Sequence, residues 1–163
     1  MSWLECPAGR HWGTMGAAGL AIFAPGPLLL VLRRAQGSHH GGTWGLPGGA
    51  LEVGESSRDG ALREAAEEVA GFDRALVELI ASYRDPCPAA CGWSYTTWLA
   101  RTRSAFAAQP GNWEHTAYRW TNPAAPALQL LPALAAALPR WRPSGDVLTC
   151  SGPVVDEESH EFL

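Results

Sequence analysis

Residues 49–68 of the chain read GALEVGESSRDGALREAAEE. The second half of this segment is rich in Ala, Leu, Arg and Glu, which favour an α-helix. Ser56 or Ser57 can accept hydrogen bonds from the first free amides of that helix, and Asp59 adds negative charge to its first turn. We therefore predict a helix from about this point to Ala70. Six chemically distinctive residues fall at fixed spacing in and before it: Gly49, Glu55, Arg63, Glu64, Glu67 and Glu68.

Three of the glutamates favour a metal site. Residues three and four apart are neighbours on a helix, so Glu64, Glu67 and Glu68 share one face. Their mutual repulsion costs stability, and a divalent cation relieves it; hard oxygen ligands suit Mg²⁺, with Mn²⁺ as an alternative. A solvated acidic face is the competing interpretation. The preceding loop favours the metal, because five glycines and a proline between Gly41 and Gly49 let the backbone approach an ion or a phosphate.

The spacing resembles the signature box of the Nudix hydrolases, which cleave nucleoside diphosphates linked to another group. The preceding WGLPGG, residues 44–49, is similar to the lead-in of mutator-type members. The resemblance implies an α/β fold, an α/β/α sandwich with a mixed central β-sheet between helices. It implies that the Gly49 carbonyl joins the three glutamates as a metal ligand. It also implies that Glu55 and Arg63 form an ion pair that orients the loop against the helix.

The chain departs from the family pattern where the helix should end. The pattern has glycine at position 70, and this chain has Ala70 followed by Gly71 and Phe72. Either Ala70 replaces the glycine, or the helix continues for one more residue and Gly71 ends it in a left-handed conformation. Neither alternative changes the carboxylates.

A further acidic residue of interest lies in the second half of the chain. Mutator-type Nudix proteins often carry a glutamate six residues before a tryptophan, and Glu114 and Trp120 match that spacing. The resemblance implies that Glu114 completes the metal cluster or accepts a proton from the attacking water. Glu64 is the other candidate for the proton acceptor. A loop glutamate without a role is the alternative interpretation of Glu114.

Aromatic and basic residues suggest how a nucleotide could bind. Trp44, Trp93 and Tyr95 could stack on a nucleobase, although aromatic residues of strands more often belong to the core. Arg34 ends an apolar run just before the glycine-rich loop and is a candidate for substrate binding. His39 and His40 follow in the same loop, where consecutive histidines are more often simply solvated.

Alternating apolar residues predict the remaining elements. Pro25-Gly26-Pro27 separates the two arms of a hairpin, and further strands and a second helix follow along the chain. The predicted segments are strands at Gly16–Ala24, Leu28–Arg34, Ala50–Val53, Arg74–Tyr83, Trp93–Arg101 and Ala117–Thr121, and a helix at Leu130–Trp141.

Length and charge restrict the class of protein. The 163 residues suit one domain, which we place at residues 1–143, followed by an acidic tail at residues 144–163. The net charge of −4 argues against binding a nucleic-acid polymer and fits a small anionic partner such as a nucleotide. No apolar run is long enough to span a bilayer and no leader pattern is present, so we expect a cytoplasmic monomer or homodimer without membrane contact.

The four cysteines give a weaker signal. Cys87 and Cys91, with three residues between them, resemble half of a zinc knuckle, whereas Cys6 and Cys150 lie near the two ends of the chain. Disulfides are rare in the expected compartment. We interpret the pair as thiols of a proline-rich loop without a metal.

Three functions remain open on the sequence. The first is a Mg²⁺-dependent pyrophosphohydrolase that converts a (modified) nucleoside triphosphate to the monophosphate and pyrophosphate. The second applies the same chemistry to ADP-ribose or another nucleoside-diphosphate sugar. The third is a non-catalytic domain that only binds a nucleotide, which the intact carboxylates argue against.

Overall fold

The structure is a computed structural model that describes residues 2–141, so the predicted acidic tail lies outside the described residues. These residues form two helices and eleven strands, with a short 3₁₀ turn at Arg74–Leu76. The strands are β1 (Trp3–Cys6), β2 (Gly9–Trp12), β3 (Ala17–Ala24), β4 (Leu28–Arg34), β5 (Trp44–Gly45), β6 (Gly48–Ala50), β7 (Val69–Ala70), β8 (Val77–Pro86), β9 (Ser94–Thr102), β10 (Gln109–Pro110) and β11 (His115–Thr121), and the helices are α1 (Ser57–Glu68) and α2 (Pro132–Trp141).

A mixed seven-stranded sheet forms the middle layer. Its main path runs β11-β4-β3-β9-β8, with β3 and β9 parallel and the other neighbours antiparallel. On one face, Ala61, Leu62 and Ala65 of α1 pack on residues such as Leu20. On the other face, α2 packs on a second cluster through Leu134, Leu138 and Trp141. This arrangement confirms the predicted α/β/α sandwich.

Strand β3 divides its hydrogen bonds between two partners on one side. Its first half pairs with β6, with Ala18 opposite Gly49, and its last residues pair with β4. On its other side β3 pairs with β9 along almost its whole length. Strand β4 meanwhile pairs with β11 and β5. The glycine-rich loop is therefore held between β3 and β4, and residues 51–56 connect it to α1.

Several element boundaries differ from the predictions. The strand expected at Ala50–Val53 lies earlier, at Gly48–Ala50, because it pairs with the start of β3. The residues Arg74–Leu76 form a 3₁₀ turn, since Asp73 accepts a hydrogen bond from Ala75 N and caps it. The hairpin β1–β2 was not predicted at all.

Helix α1 does not continue past the carboxylates, so the prediction of a helix reaching Ala70 was wrong. It ends at Glu68, and Val69 and Ala70 form β7 against β10. Gly71 then adopts a φ of +93°. It supplies the left-handed turn, and a side chain there would also collide with the Ala107 carbonyl at 2.5 Å. No helix among residues 2–141 is long and apolar enough to cross a membrane.

Candidate active site

Local contacts fix the start of α1. Ser56 is the N-cap, and its hydroxyl accepts a hydrogen bond from Asp59 N at 3.1 Å. The next residue, Ser57, is buried and accepts a hydrogen bond from Trp98 Nε1 at 2.9 Å. Gly60 contributes by having no side chain, because a Cβ there would collide with Leu51 and lie 3.2 Å from Glu55 Oε2. The segment before the helix can therefore fold closely onto its first turns.

The helix presents its carboxylates to the glycine-rich loop. A Cβ at Gly49 would lie 2.6 Å from Glu64 Oε1, so only glycine leaves room for that carboxylate. Glu68 is 2% exposed, and its Oε2 accepts a hydrogen bond from Gly48 N at 2.9 Å. Glu67 is more open, with 55% of its side chain exposed. Two of the three glutamates therefore touch the loop, and the third faces solvent beside them.

Burial and crowding make the carboxylates of Glu64 and Glu68 costly to ionise. The pKa of Glu68 is raised to about 9, chiefly by burial and also by the nearby charges of Glu64 and Glu114, while the hydrogen bond from the Gly48 amide opposes the rise. Burial also raises the pKa of Glu64, which Arg63 opposes. Buried carboxylates that repel each other are stabilised as anions by a cation. The donor set therefore fits a hard divalent ion held by Glu64, Glu67 and Glu68.

Arg63 connects the helix to the preceding loop. Its Nε and one terminal nitrogen donate to the two oxygens of Glu55 at 2.7 and 3.0 Å, a bidentate fork. The other terminal nitrogen donates to Glu64 at 3.0 Å, and Ala50 O accepts a further bond at 3.1 Å. Glu55 in turn accepts a hydrogen bond from Glu52 N at 2.9 Å. One guanidinium group therefore links the loop, the strand β6 and a carboxylate of the cluster.

Glu114 lies close to the glutamate cluster and is held there by backbone contacts. Strand β10 pairs with β7, and Gly111 N donates to the last helical carbonyl, that of Glu68, at 2.7 Å. Ala35 N donates to Glu114 O at 2.8 Å. Glu114 is thereby held near the end of α1, close enough for its charge to raise the pKa of both Glu64 and Glu68.

Arg34 and His115 lie opposite each other near Glu114, and only Arg34 was a candidate from the sequence. Arg34 lies at the end of β4 opposite His115, and its Nε donates to His39 O at 2.7 Å. His115 was not singled out, because a lone histidine in a short strand gives no signal. Burial lowers the pKa of His115 to about 4, with the Arg34 charge as a smaller cause, so its imidazole is neutral.

The three aromatic candidates lie in different surroundings. Tyr95 borders the carboxylates: its hydroxyl would lie 2.7 Å from a Cβ at Gly48, and the charges of Glu68 and Glu64 add to burial in raising its pKa. Trp44 is half-buried against the cluster under α2. Trp93 stacks on His11 and donates to Gly13 O at 3.1 Å. Trp93 therefore has packing partners in the β1–β2 hairpin and at Gly13, and its contact with a nucleobase stays a prediction.

Comparison with known proteins places the chain in a family. The profile of the NUDIX domain matches residues 13–142, and the chain belongs to the Nudix hydrolase family. The crystal structure of "a Nudix Hydrolase from M. Smegmatis, RenU" superposes with a TM-score of 0.79 at 34% identity, covering 95% of this chain and 98% of that one. The predicted family and fold are thus confirmed.

Two curated relatives carry names that describe an activity. A Mycobacterium tuberculosis protein named "Putative 8-oxo-dGTP diphosphatase 3" is 38% identical over 86% of this chain and 68% of its own length. A Bifidobacterium longum protein named "Nucleoside triphosphate pyrophosphatase/Nudix hydrolase fusion protein" is 40% identical over 66% of this chain. This chain spans only 23% of that fusion protein's length.

Proposed function

We propose that this chain is a Mg²⁺-dependent pyrophosphohydrolase that cleaves a nucleoside triphosphate to the monophosphate and pyrophosphate, with Mn²⁺ able to replace Mg²⁺. The observation that carries the proposal is that Glu64 and Glu68 contact the loop at Gly48 and Gly49, with Glu67 beside them on the same helix. The activities named for the 38% and 40% identical relatives favour a nucleoside triphosphate as substrate.

Each part of the site has a chemical task in this reaction. Glu64, Glu67, Glu68 and the Gly49 carbonyl would hold the cation, which supplies charge neutralisation at the phosphates and lowers the pKa of the attacking water. Glu64 or Glu114 accepts the proton as the water oxygen attacks phosphorus and the bridging P–O bond breaks. Arg34 would bind a phosphate through its guanidinium, and Trp44 and Tyr95 remain candidates for contact with the base.

Product analysis tests the proposal most directly. The full chain is incubated with Mg²⁺ and, in separate reactions, each dNTP, 8-oxo-dGTP and ADP-ribose, and the products are separated by ion-exchange chromatography. We expect monophosphate and pyrophosphate in equal amounts from at least one triphosphate. Release of AMP and ribose 5-phosphate from ADP-ribose, without pyrophosphate from any triphosphate, would select the sugar-nucleotide alternative. Binding without turnover of every compound would select the non-catalytic alternative.

A glycine substitution tests the contact between loop and helix. In Gly49→Ala the new Cβ would lie 2.6 Å from Glu64 Oε1, and the flexible carboxylate must move. We expect kcat/KM to fall by about 10²-fold, since displacing a reacting group by about 1 Å has this effect. The free energy of unfolding should change by less than about 1 kcal/mol.

Gly48→Ala is the matched control for that variant. Its Cβ would lie 2.6 Å from the Ala18 carbonyl of the backbone, which cannot turn away. Gly48→Ala should therefore lower the melting temperature more than Gly49→Ala does. Full activity of Gly49→Ala at wild-type substrate affinity would show that the Glu64 carboxylate needs no fixed position.

A further inference from the structure

Three cysteines and a histidine, none of them in the segment that carries the glutamates, lie close together in the structure. Cys6 and His11 lie on β1 and β2, and Cys87 and Cys91 lie in the connection between β8 and β9. One ligand atom from each of the four lies within 4.8 Å of all the others. The sequence analysis described Cys87 and Cys91 as thiols of a proline-rich loop and did not connect them with Cys6 and His11, because the hairpin that carries these two residues was not predicted.

We propose that Cys6, His11, Cys87 and Cys91 bind one structural Zn²⁺ ion. Three thiolates and an imidazole are a ligand set that zinc prefers, and four protein ligands leave no open position for catalysis. The three-residue spacing between Cys87 and Cys91 is within the range typical of zinc sites. This site is independent of the proposed hydrolysis.

The distances match a tetrahedral ion. Zinc–sulfur bonds of about 2.3 Å and zinc–nitrogen bonds of about 2.0 Å separate two sulfur ligands by about 3.8 Å, and sulfur from nitrogen by about 3.5 Å. In the structure, Cys6 Sγ lies 3.4 Å from Cys87 Sγ, and His11 Nε2 lies 3.3 Å from the same sulfur. All three cysteines are free thiols. A disulfide between Cys6 and Cys87 would require a much shorter separation of about 2.0 Å.

The surroundings of the ligands are organised around them. Ala8 N points to Cys6 Sγ at 3.4 Å, a contact that stabilises a thiolate. The His11 ring stacks on Trp93 with centroids 4.2 Å apart and planes 7° apart, which fixes the direction of its Nε2. Cys87 N donates to Trp93 O at 2.8 Å and Cys87 O accepts from Ala90 N at 3.0 Å, closing the turn that carries Cys91.

The fold gives the ion a task. Strands β1 and β2 pair only with each other among the described residues and form a two-stranded sheet of their own. An isolated two-stranded hairpin is at best marginally stable in water. Trp93 is one link to the body of the protein, through Gly13 O. A zinc ion with two ligands on the hairpin and two on the β8–β9 connection would join the hairpin to the main sheet.

Metal analysis of the purified full chain tests the proposal. The protein is prepared in reducing buffer and separated by gel filtration with excess Mg²⁺, which displaces zinc from the glutamate cluster. We expect about one zinc ion per chain by inductively coupled plasma mass spectrometry. Co²⁺ exchanged into the site should show thiolate-to-cobalt charge-transfer bands and the visible bands of tetrahedral cobalt. Absence of bound zinc together with absence of these bands would overturn the proposal, as would a Cys6–Cys87 disulfide in the reduced preparation.

Variants identify the ligands. Cys87→Ala and Cys91→Ala should lose zinc and lower the melting temperature by about 5–10 °C. Cys150→Ala removes the remaining cysteine and Glu68→Gln alters the glutamate cluster, and both should keep one zinc. His11→Ala should keep the cobalt–thiolate bands but change the visible bands. If the cysteine variants do not fold, the cobalt spectrum of the unmodified chain still decides. Zinc retained in both cysteine variants, or lost in Glu68→Gln, would assign the ion elsewhere.

Discussion

Replacing Glu67 or Glu68 by glutamine should lower kcat/KM by at least about 10³-fold at saturating Mg²⁺. Each substitution removes one negative ligand while keeping the shape of the side chain. Glu67 is open to solvent, so its replacement should leave the melting temperature unchanged. Glu78→Gln is the control, since Glu78 lies on β8, where it is paired with Arg101 of β9. Its replacement should change neither kcat/KM nor the melting temperature. Activity within threefold of wild type in both cluster variants would contradict the assignment of the metal site.

Glu68→Gln, unlike the Glu67 variant, should raise the stability of the folded protein when Mg²⁺ is absent. Without Mg²⁺ the pKa of Glu68 in the folded protein is about 9, whereas the pKa of an ordinary glutamate is 4.5. The folded protein therefore keeps a proton on Glu68 at pH values where the unfolded chain has lost it. The stability that this proton represents is complete below pH 4.5 and is lost as the pH rises to about 9. Glutamine resembles the protonated form at every pH, and its side-chain oxygen can still accept the hydrogen bond from Gly48 N.

This linkage predicts a pH-dependent comparison of the two proteins. In Mg²⁺-free buffer at pH 8, Glu68→Gln should be more stable than wild type by about 1–3 kcal/mol, and the difference should shrink toward pH 5. Saturating Mg²⁺ should reverse the order, because only the wild type gains full binding energy from the ion. Melting curves at pH 5, 6.5 and 8 with and without Mg²⁺ measure both effects. A variant that is less stable at pH 8 without Mg²⁺ would show that Glu68 is ionised in the folded protein.

Arg63→Ala should impair both activity and stability. It removes the fork to Glu55 and the bonds to Glu64 and Ala50 O, leaving a half-buried carboxylate without its cation. We expect a loss of about 10–100-fold in Mg²⁺ affinity or kcat/KM, and of about 1–3 kcal/mol in the free energy of unfolding. Arg63→Lys should restore little, since an ammonium group cannot bind both oxygens of Glu55. Glu55→Gln should have a smaller effect of the same kind.

The control for Arg63 is a second bidentate pair on the surface. Arg140 binds both oxygens of Asp85 at 2.6 and 2.8 Å, and both side chains are nearly half exposed. Exposed pairs contribute little, so Arg140→Ala should change stability by less than about 1 kcal/mol and leave activity unaltered. An equal loss in both arginine variants would mean that Arg63 supports the fold without positioning the carboxylates. The Mg²⁺ titration separates these outcomes.

The sequence predicted best where function and local structure coincide. The segment from Gly49 to Glu68 carries its helix cap and its carboxylates within twenty residues, so their spacing could be read from the sequence alone, whereas the close contact at Gly60 was not predicted. The position of Glu114 relied on family resemblance, because the structure holds it there through distant contacts with Ala35 and with the end of α1.

The sequence failed where short elements depend on distant partners. The β1–β2 hairpin has little apolar periodicity, and its Cys6 and His11 meet Cys87 across 81 and 76 positions of the chain. Trp93 was ambiguous for the same reason, since its stacking partner His11 comes from that hairpin. The early end of α1 was hidden because β7 consists of two residues and exists only through β10.

The divided pairing of β3 has a consequence for how such a protein can diversify. Its first half anchors β6 and therefore α1, whereas its last residues anchor β4, which leads to the loop at residues 36–42 and supports β11. Insertions in that loop need not disturb the register of β6 on β3. The loop can therefore change in length or composition while the helix that carries the glutamates keeps its position on the sheet.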